Sequence, residues 1–82
     1  YAIIGHDVQI GDWCHINAFA DCGGMSELGE GVTLHTHSFV LPKCKISEGV
    51  TLGACSVALK DIGANKTVFG VPAREIIPIR NK

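Results

Sequence analysis

Aromatic and charged residues are both scarce in this sequence, at 6% and 18% of its 82 residues. A hydrophobic core must therefore be built from aliphatic and small side chains rather than from rings. The net charge is −1 and the basic residues form no run, which argues against a nucleic-acid-binding surface. No apolar stretch approaches the roughly 18 residues of a membrane-spanning helix, and no signal-peptide pattern opens the chain. This length and composition favour a single small domain.

A six-residue period runs through most of the chain. Every sixth position from Ile4 holds an aliphatic or small residue: Ile4, Ile10, Ile16, Cys22, Leu28, Leu34, Val40, Ile46, Leu52 and Ala58. The fourth residue after each of these is small or β-branched, from Val8 to Ile62, and we expect the period to end after Ile62. A glycine directly follows the aliphatic residue in five hexads, where we expect it to adopt corner dihedrals that disfavour a Cβ.

A period of six fits neither an α-helix nor a simple two-sided strand. It predicts an all-β solenoid of triangular section, in which each hexad forms one short strand and one corner and three hexads close a coil. The aliphatic residues point inward, and strands of successive coils lie about 4.8 Å apart. We expect about three and a half coils over residues 1–76, a cap at Pro72 and Pro78, and a frayed tail at 77–82. The period alone does not determine the hand of the helix. Crossovers between parallel strands are normally right-handed.

The cysteines indicate neither disulfide bonds nor a metal site. With 18 residues per coil they fall in four different stacking columns, and no two are separated by only two residues. They are Cys14, Cys22, Cys44 and Cys55. We interpret them as small hydrophobic residues of a protein in a reducing compartment, the cytoplasm.

The hexads and the closing segment Val68-Phe69-Gly70-Val71-Pro72-Ala73-Arg74 resemble the hexapeptide-repeat acyltransferase superfamily. The resemblance implies a left-handed parallel β-helix. The segment 5–16, Gly-His-Asp-Val-Gln-Ile-Gly-Asp-Trp-Cys-His-Ile, is similar to the branch that O-acetylates sialic acids or N-acetylates nucleotide-linked amino-sugars. That similarity implies that His6 is the catalytic base, that Asp7 raises its basicity and that His15 contacts acetyl-CoA. It also implies a sugar or nucleotide-sugar acceptor and an N-terminal substrate-binding domain, which is absent from this sequence.

Acetyl transfer requires these residue types independently of the resemblance. A base with a pKa near neutrality must accept the proton of the attacking amine or hydroxyl, and histidine meets that requirement. An adjacent carboxylate orients the ring and stabilises the imidazolium. The sequence places Asp7 directly after His6 and His15 nine residues later. This pattern favours a catalytic role over the alternative that the two histidines are only polar surface residues.

Two other functions are compatible with the same scaffold. One is a metal-dependent enzyme like the γ-class carbonic anhydrases, but His15, His35 and His37 do not share one stacking column, so no metal ligands are predicted. The other is a non-catalytic trimerising module, which would not bind acetyl-CoA and would tolerate the loss of His6.

Stacking at 18 residues also predicts the cofactor site. Ala18, Thr36 and Ala54 share a column beside His15, and the resembled branch contacts acetyl-CoA at positions matching His15, Thr36 and Ala54. Lys60 and Arg74 are weaker candidates for the CoA phosphates. Gly24 lies one coil after His6, so we expect its N–H to face the thioester oxygen.

The spacing of the two histidines predicts an assembly. Half a coil separates His6 from His15, which places them on opposite sides of the prism. A homotrimer would bring the His6 column of one subunit against the column of Thr36 in the next, giving three shared active sites. A coil stack this small also has little core of its own.

Overall fold

The computed structural model describes residues 1–76, which form a parallel β-solenoid without a helix. Residues 77–82, including Pro78 and the predicted tail, lie outside the described residues. No helix among residues 1–76 is long and apolar enough to cross a membrane. The strands are β1 (Ile3–Ile4), β2 (Gln9–Ile10), β3 (His15–Ile16), β4 (Asp21–Cys22), β5 (Glu27–Leu28), β6 (Thr33–Leu34), β7 (Phe39–Val40), β8 (Lys45–Ile46), β9 (Thr51–Leu52), β10 (Val57–Ala58), β11 (Thr67–Phe69) and β12 (Arg74–Glu75).

Every third strand returns to the same face of a triangular prism. Sheet 1 has the order β1-β4-β7-β10, sheet 2 the order β2-β5-β8, and sheet 3 the order β3-β6-β9-β11 with β12 at its end. The parallel registers pair residues 18 apart, such as Ile4 with Cys22 and Leu28 with Ile46. The predicted left-handed parallel β-helix is confirmed, with about four coils rather than three and a half.

The core is the column of inward aliphatic residues that the period predicted. Leu34, Val40 and Leu52 are fully buried, and Leu28 and Ile46 are buried nearly as completely. Burying one such side chain contributes about 1.5–3 kcal/mol, and stability accumulates as coils stack. The inward residues of the first coil have no coil on one side among residues 1–76, so Ile4 and Ile10 are 45% and 42% exposed.

The prediction that the glycines after the inward residues adopt the special corner dihedrals was wrong. Positive φ falls two residues later than predicted, at the second corner residue of nearly every turn, for example Asp7 (56°), Phe19 (61°) and Lys43 (67°). The glycines that follow the inward residues are required by close stacking instead. A Cβ on Gly23 would lie 2.5 Å from the backbone N of Pro42, and one on Gly29 would lie 2.6 Å from the N of Glu48.

The period breaks before Ile62, not after it. Ile62 bridges Ile46 and Val68 pairs with Leu52, so the last coil advances sixteen residues per turn instead of eighteen. Ile62 therefore occupies the inward column rather than a corner. The turn after Ala58 is two residues shorter, and the Asp61 carboxylate accepts a 2.9 Å hydrogen bond from the Lys45 N–H where a regular coil would supply a carbonyl.

Candidate active site

The His6 corner joins sheet 1 to sheet 2 and consists of His6, Asp7, Gly24, Met25, Pro42 and Lys43. The Nδ1 atom of His6 lies 3.3 Å from the Oδ2 atom of Asp7, and both side chains are largely exposed, at 77% and 81%. Asp7 is the second residue of this corner and has a positive φ of 56°. With Nδ1 donating to Asp7, the Nε2 atom is the acceptor available to a substrate proton.

Gly24 lies directly beside the His6 ring, one coil away. A Cβ on Gly24 would come within 2.8 Å of His6 Nε2, so only glycine leaves the ring in this position. Gly5 packs against the same corner, since a Cβ there would lie 2.7 Å from the Gly24 N. Sequence reasoning identified Gly24 from the 18-residue step but missed the contribution of Gly5, which the same step could have indicated.

Within residues 1–76, the first residue of each regular corner leaves its backbone N–H unpaired, except Pro42, which has none. Among the described residues, the Gly24 N–H donates to no backbone carbonyl or side chain. The N–H groups of its neighbours Gly23 and Met25 donate to the backbone carbonyls of Val40 and His6. The same holds for the N–H groups of Ala18, Thr36 and Ala54 in that part of the chain. An unpaired N–H at a solvent-facing corner is available to an external acceptor.

The Thr36 corner joins sheet 3 to sheet 1 and contains Ala18, Phe19, Thr36, His37, Ala54 and Cys55. The predicted stacking of Ala18, Thr36 and Ala54 is present: the His37 N–H donates to the Ala18 carbonyl and the Cys55 N–H donates to the Thr36 carbonyl. All three residues of this column are exposed, and their small side chains leave the corner N–H groups accessible.

The structure separates the predicted site residues into two groups. His15 lies on β3 in sheet 3, next to the Thr36 corner, whereas His6 lies at the corner opposite sheet 3. His6, Asp7 and Gly24 therefore come together, and His15 lies with Thr36 and Ala54. One chain does not bring the two groups into contact.

No family model matches the chain. A serine acetyltransferase from Synechococcus elongatus is 33% identical over 90% of the chain, and an acyl-[acyl-carrier-protein]–UDP-N-acetylglucosamine O-acyltransferase from Pseudomonas entomophila is 34% identical over 89%. The chain spans about a third of the length of these relatives, 34% and 28% respectively.

A solved structure matches nearly the whole chain in fold. The crystal structure of a mutant perosamine N-acetyltransferase from Caulobacter crescentus, in complex with CoA and GDP-perosamine, superposes with a TM-score of 0.92 and 26% identity. The match covers 94% of the chain and 37% of that protein. These comparisons support the hexapeptide-repeat acyltransferase superfamily.

Two buried cysteines and one stacked histidine lie outside the two corners' proposed chemistry. Burial raises the pKa of the Cys22 thiol to about 11, and the carboxylate of Asp21 and the nearby Cys14 add to the effect, so this thiol is a poor nucleophile. Burial likewise raises the pKa of Cys44. His37 stacks on Phe19 with ring centroids 4.9 Å apart, a contact that the sequence did not indicate. Residues 1–76 contain no group of three side chains placed to hold a metal ion.

Basic side chains gather at the last coil. Lys60, Lys66 and Arg74 line one groove together with Asp61 and Glu75. Lys66 Nζ lies 3.8 Å from Glu75 Oε1. His6 belongs to the first coil, so His6 and the basic groove lie about three coil spacings, roughly 14 Å, apart along the prism.

Proposed function

We propose that the protein transfers an acetyl group from acetyl-CoA to an amino or hydroxyl group of a sugar or nucleotide-sugar. The observation that carries this proposal is the placement of His6, with Nδ1 facing Asp7 and Nε2 beside Gly24, whose own N–H is unpaired within residues 1–76. The Caulobacter crescentus protein in complex with CoA and GDP-perosamine supports the same donor and an amino-sugar nucleotide as acceptor. The free cysteines and the acetyl-CoA donor favour the cytoplasm.

The arrangement supports direct attack without a covalent enzyme intermediate. His6 Nε2 accepts the proton of the acceptor as its nitrogen or oxygen attacks the thioester carbonyl carbon. Asp7 stabilises the imidazolium, and the Gly24 N–H donates to the oxygen that becomes negative. The carbon–sulfur bond then breaks, the CoA sulfur leaves and receives the proton from His6, and the acetyl group remains on the acceptor.

We propose that each active site is shared between two subunits of a homotrimer. The attacking atom of the acceptor and the thioester carbonyl carbon must come within about 3–3.5 Å of each other. The base that takes the proton must lie beside them. His6 and the Thr36 corner lie on separate corners of one prism, so a second copy must supply one of them. A closed threefold arrangement repeats one such contact three times.

We propose that the Thr36 corner holds the pantetheine arm. The N–H groups of Ala18, Thr36 and Ala54 recur at the strand spacing of about 4.8 Å and can donate to the arm's amide carbonyls. The arm is comparable in length to four extended residues, about 14 Å, and so reaches from the first coil to the last. Lys60 and Arg74 then lie at the phosphate end, and His6 lies at the thioester end.

Substituting Ala54 with tryptophan is expected to weaken acetyl-CoA binding at least about tenfold, because the indole would cover the corner N–H groups. Glu48→Trp is the matched control, since Glu48 is the exposed first residue of another corner in the same coil. Isothermal titration of both variants with acetyl-CoA checks this. Equal affinity in the two variants would show that the cofactor does not lie along this column.

The acceptor class is tested by the release of the CoA thiol. We expect release with a GDP- or UDP-linked amino-sugar and little with L-serine, the acceptor named for the Synechococcus elongatus relative. The opposite preference would contradict a sugar acceptor and leave the acetyl-CoA site unaffected. Binding of acetyl-CoA without transfer to any of these acceptors would contradict the catalytic proposal.

A further inference from the structure

Five glycines directly follow an inward residue, and the last of them, Gly53, has different surroundings from the other four. A Cβ on any of the first four would come within 3 Å of a backbone nitrogen of the next coil, as at Gly29. A Cβ on Gly53 would instead overlap the ring of Phe69 and come within 2.9 Å of its Cε1 atom, and its three nearest atoms all belong to that ring. The missing side chain of Gly53 therefore makes room for an aromatic ring rather than for backbone.

The ring of Phe69 lies beside the proposed pantetheine column. Gly53 directly precedes Ala54, the last residue of that column, so a ring that covers Gly53 is next to Ala54. Val68 points into the core and is buried, which places its neighbour Phe69 on the outer surface of sheet 3. Phe69 is 54% exposed even though its ring covers Gly53, so an open aromatic surface remains at the last coil.

Arg74 places a positive charge next to this ring. Phe69 and Arg74 are directly opposite each other in the antiparallel pair of β11 and β12. Residues in this relation project to the same face of a sheet, with Cβ atoms about 4.5–5.5 Å apart. A guanidinium group binds phosphate through paired hydrogen bonds, and an aromatic side chain stacks on a nucleobase. The two side chains together therefore suit a nucleotide.

The distribution of charge along the prism indicates which end of acetyl-CoA lies at the last coil. All seven basic residues of the chain fall within 43–82. Residues 1–36 contain five acidic residues and no basic one. Acetyl-CoA carries its negative charge on the adenosine 3′-phosphate and the 5′-diphosphate, far from the thioester. Electrostatic attraction therefore favours the nucleotide at the last coil and the thioester near His6.

We propose that Phe69, positioned by Gly53, stacks on the adenine ring of acetyl-CoA and that Arg74 binds a phosphate of the same nucleotide. The proposal rests on the acetyl-CoA donor and the pantetheine column described above, and it adds the residues that select the donor. A thioester on phosphopantetheine alone, or on a carrier protein, has no adenine for Phe69 to bind. The last coil thus favours acetyl-CoA over such donors.

Binding of adenosine 3′,5′-bisphosphate, the nucleotide of CoA without its pantetheine arm, tests the stacking. Isothermal titration should show that Phe69→Ala weakens this binding about 5- to 150-fold, the usual contribution of one stacked base. Phe69→Trp should retain the affinity, and Gly53→Ala should lose much of it because the new Cβ displaces the ring. Thr67→Ala removes another exposed side chain of β11 and is expected to change nothing.

Transfer from two donors distinguishes a role in specificity from a structural one. Phe69→Ala should lower kcat/KM for acetyl-CoA by the same factor as it weakens bisphosphate binding, and should leave kcat/KM for S-acetyl-4′-phosphopantetheine unchanged. Equal losses with both donors would overturn the proposal, since they would mean that Phe69 only supports the fold. Circular dichroism establishes that each variant keeps its β structure.

Two results on binding would also overturn the proposal: a wild type that does not bind the bisphosphate, or equal affinity in the wild type and Phe69→Ala. Either result, with acetyl transfer retained, would refute the role of Phe69 while the proposed function stands. Conversely, a protein that binds the bisphosphate through Phe69 but transfers acetyl from neither donor would refute the function and leave the nucleotide site in place.

Discussion

Replacing His6 with alanine is expected to lower kcat for acetyl transfer by about 100- to 10,000-fold, the usual contribution of a general base. The ring is exposed and packs into no core, so its loss should leave the fold intact. Acetyl-CoA affinity should change little, because the proposed pantetheine column lies on another corner. Steady-state kinetics and titration calorimetry separate the two effects.

Two further variants distinguish a catalytic His6 from a structural one. Asp7→Asn should lower kcat less than His6→Ala does, since it keeps the ring but removes the carboxylate 3.3 Å from Nδ1. Asp12 occupies the position in the next corner that His6 occupies in its own corner. Asp12→Ala should therefore leave kcat at the wild-type value. Full activity in His6→Ala would eliminate the proposed base.

Removing the Gly24 N–H is expected to lower kcat by about 100- to 1,000-fold, the usual cost of losing one donor to a developing oxyanion. Gly24→Pro removes the N–H. Pro42 occupies the equivalent corner position one coil later, so this turn accepts a proline. Proline is favoured at this position of such turns.

Gly24→Ala is the matched control for the proline variant. It retains the N–H but adds a Cβ that would lie 2.8 Å from His6 Nε2, so it reports the cost of displacing the ring alone. The account predicts that proline is clearly worse than alanine in kcat. Equal losses in the two variants would mean that crowding of His6, and not the missing donor, explains the effect.

The sequence predicted the fold closely because one inward residue recurs every six positions. Leu34 and Val40 are fully buried as that period requires, and the 18-residue step correctly placed Gly24 beside His6. Composition and period could not locate the break before Ile62. The shortened coil keeps Ile62 in the core. The structure shows that the Asp61 carboxylate accepts the hydrogen bond from the Lys45 N–H that a backbone carbonyl accepts in a regular coil.

The chemistry of the corners required the structure. The period identified which residues share a column. It did not indicate that the Gly24 N–H is unpaired within residues 1–76 whereas the N–H of Met25 donates to the backbone carbonyl of His6. It also assigned positive φ to the glycines, whereas Asp7 and Phe19 adopt it.

Subunit exchange between two inactive variants tests the shared active site most directly. Each proposed site takes His6, Asp7 and Gly24 from one subunit and His15, Thr36 and Ala54 from the next. His6→Ala lacks the base and Ala54→Trp binds acetyl-CoA weakly, so each should show little activity alone when acetyl-CoA is kept well below the raised KM of Ala54→Trp. Under these conditions random trimers from an equal mixture should recover about one quarter of the wild-type sites. Native mass spectrometry verifies that the subunits have exchanged. Recovery near one quarter is the result the account predicts, and no recovery in exchanged trimers would confine each active site to a single chain.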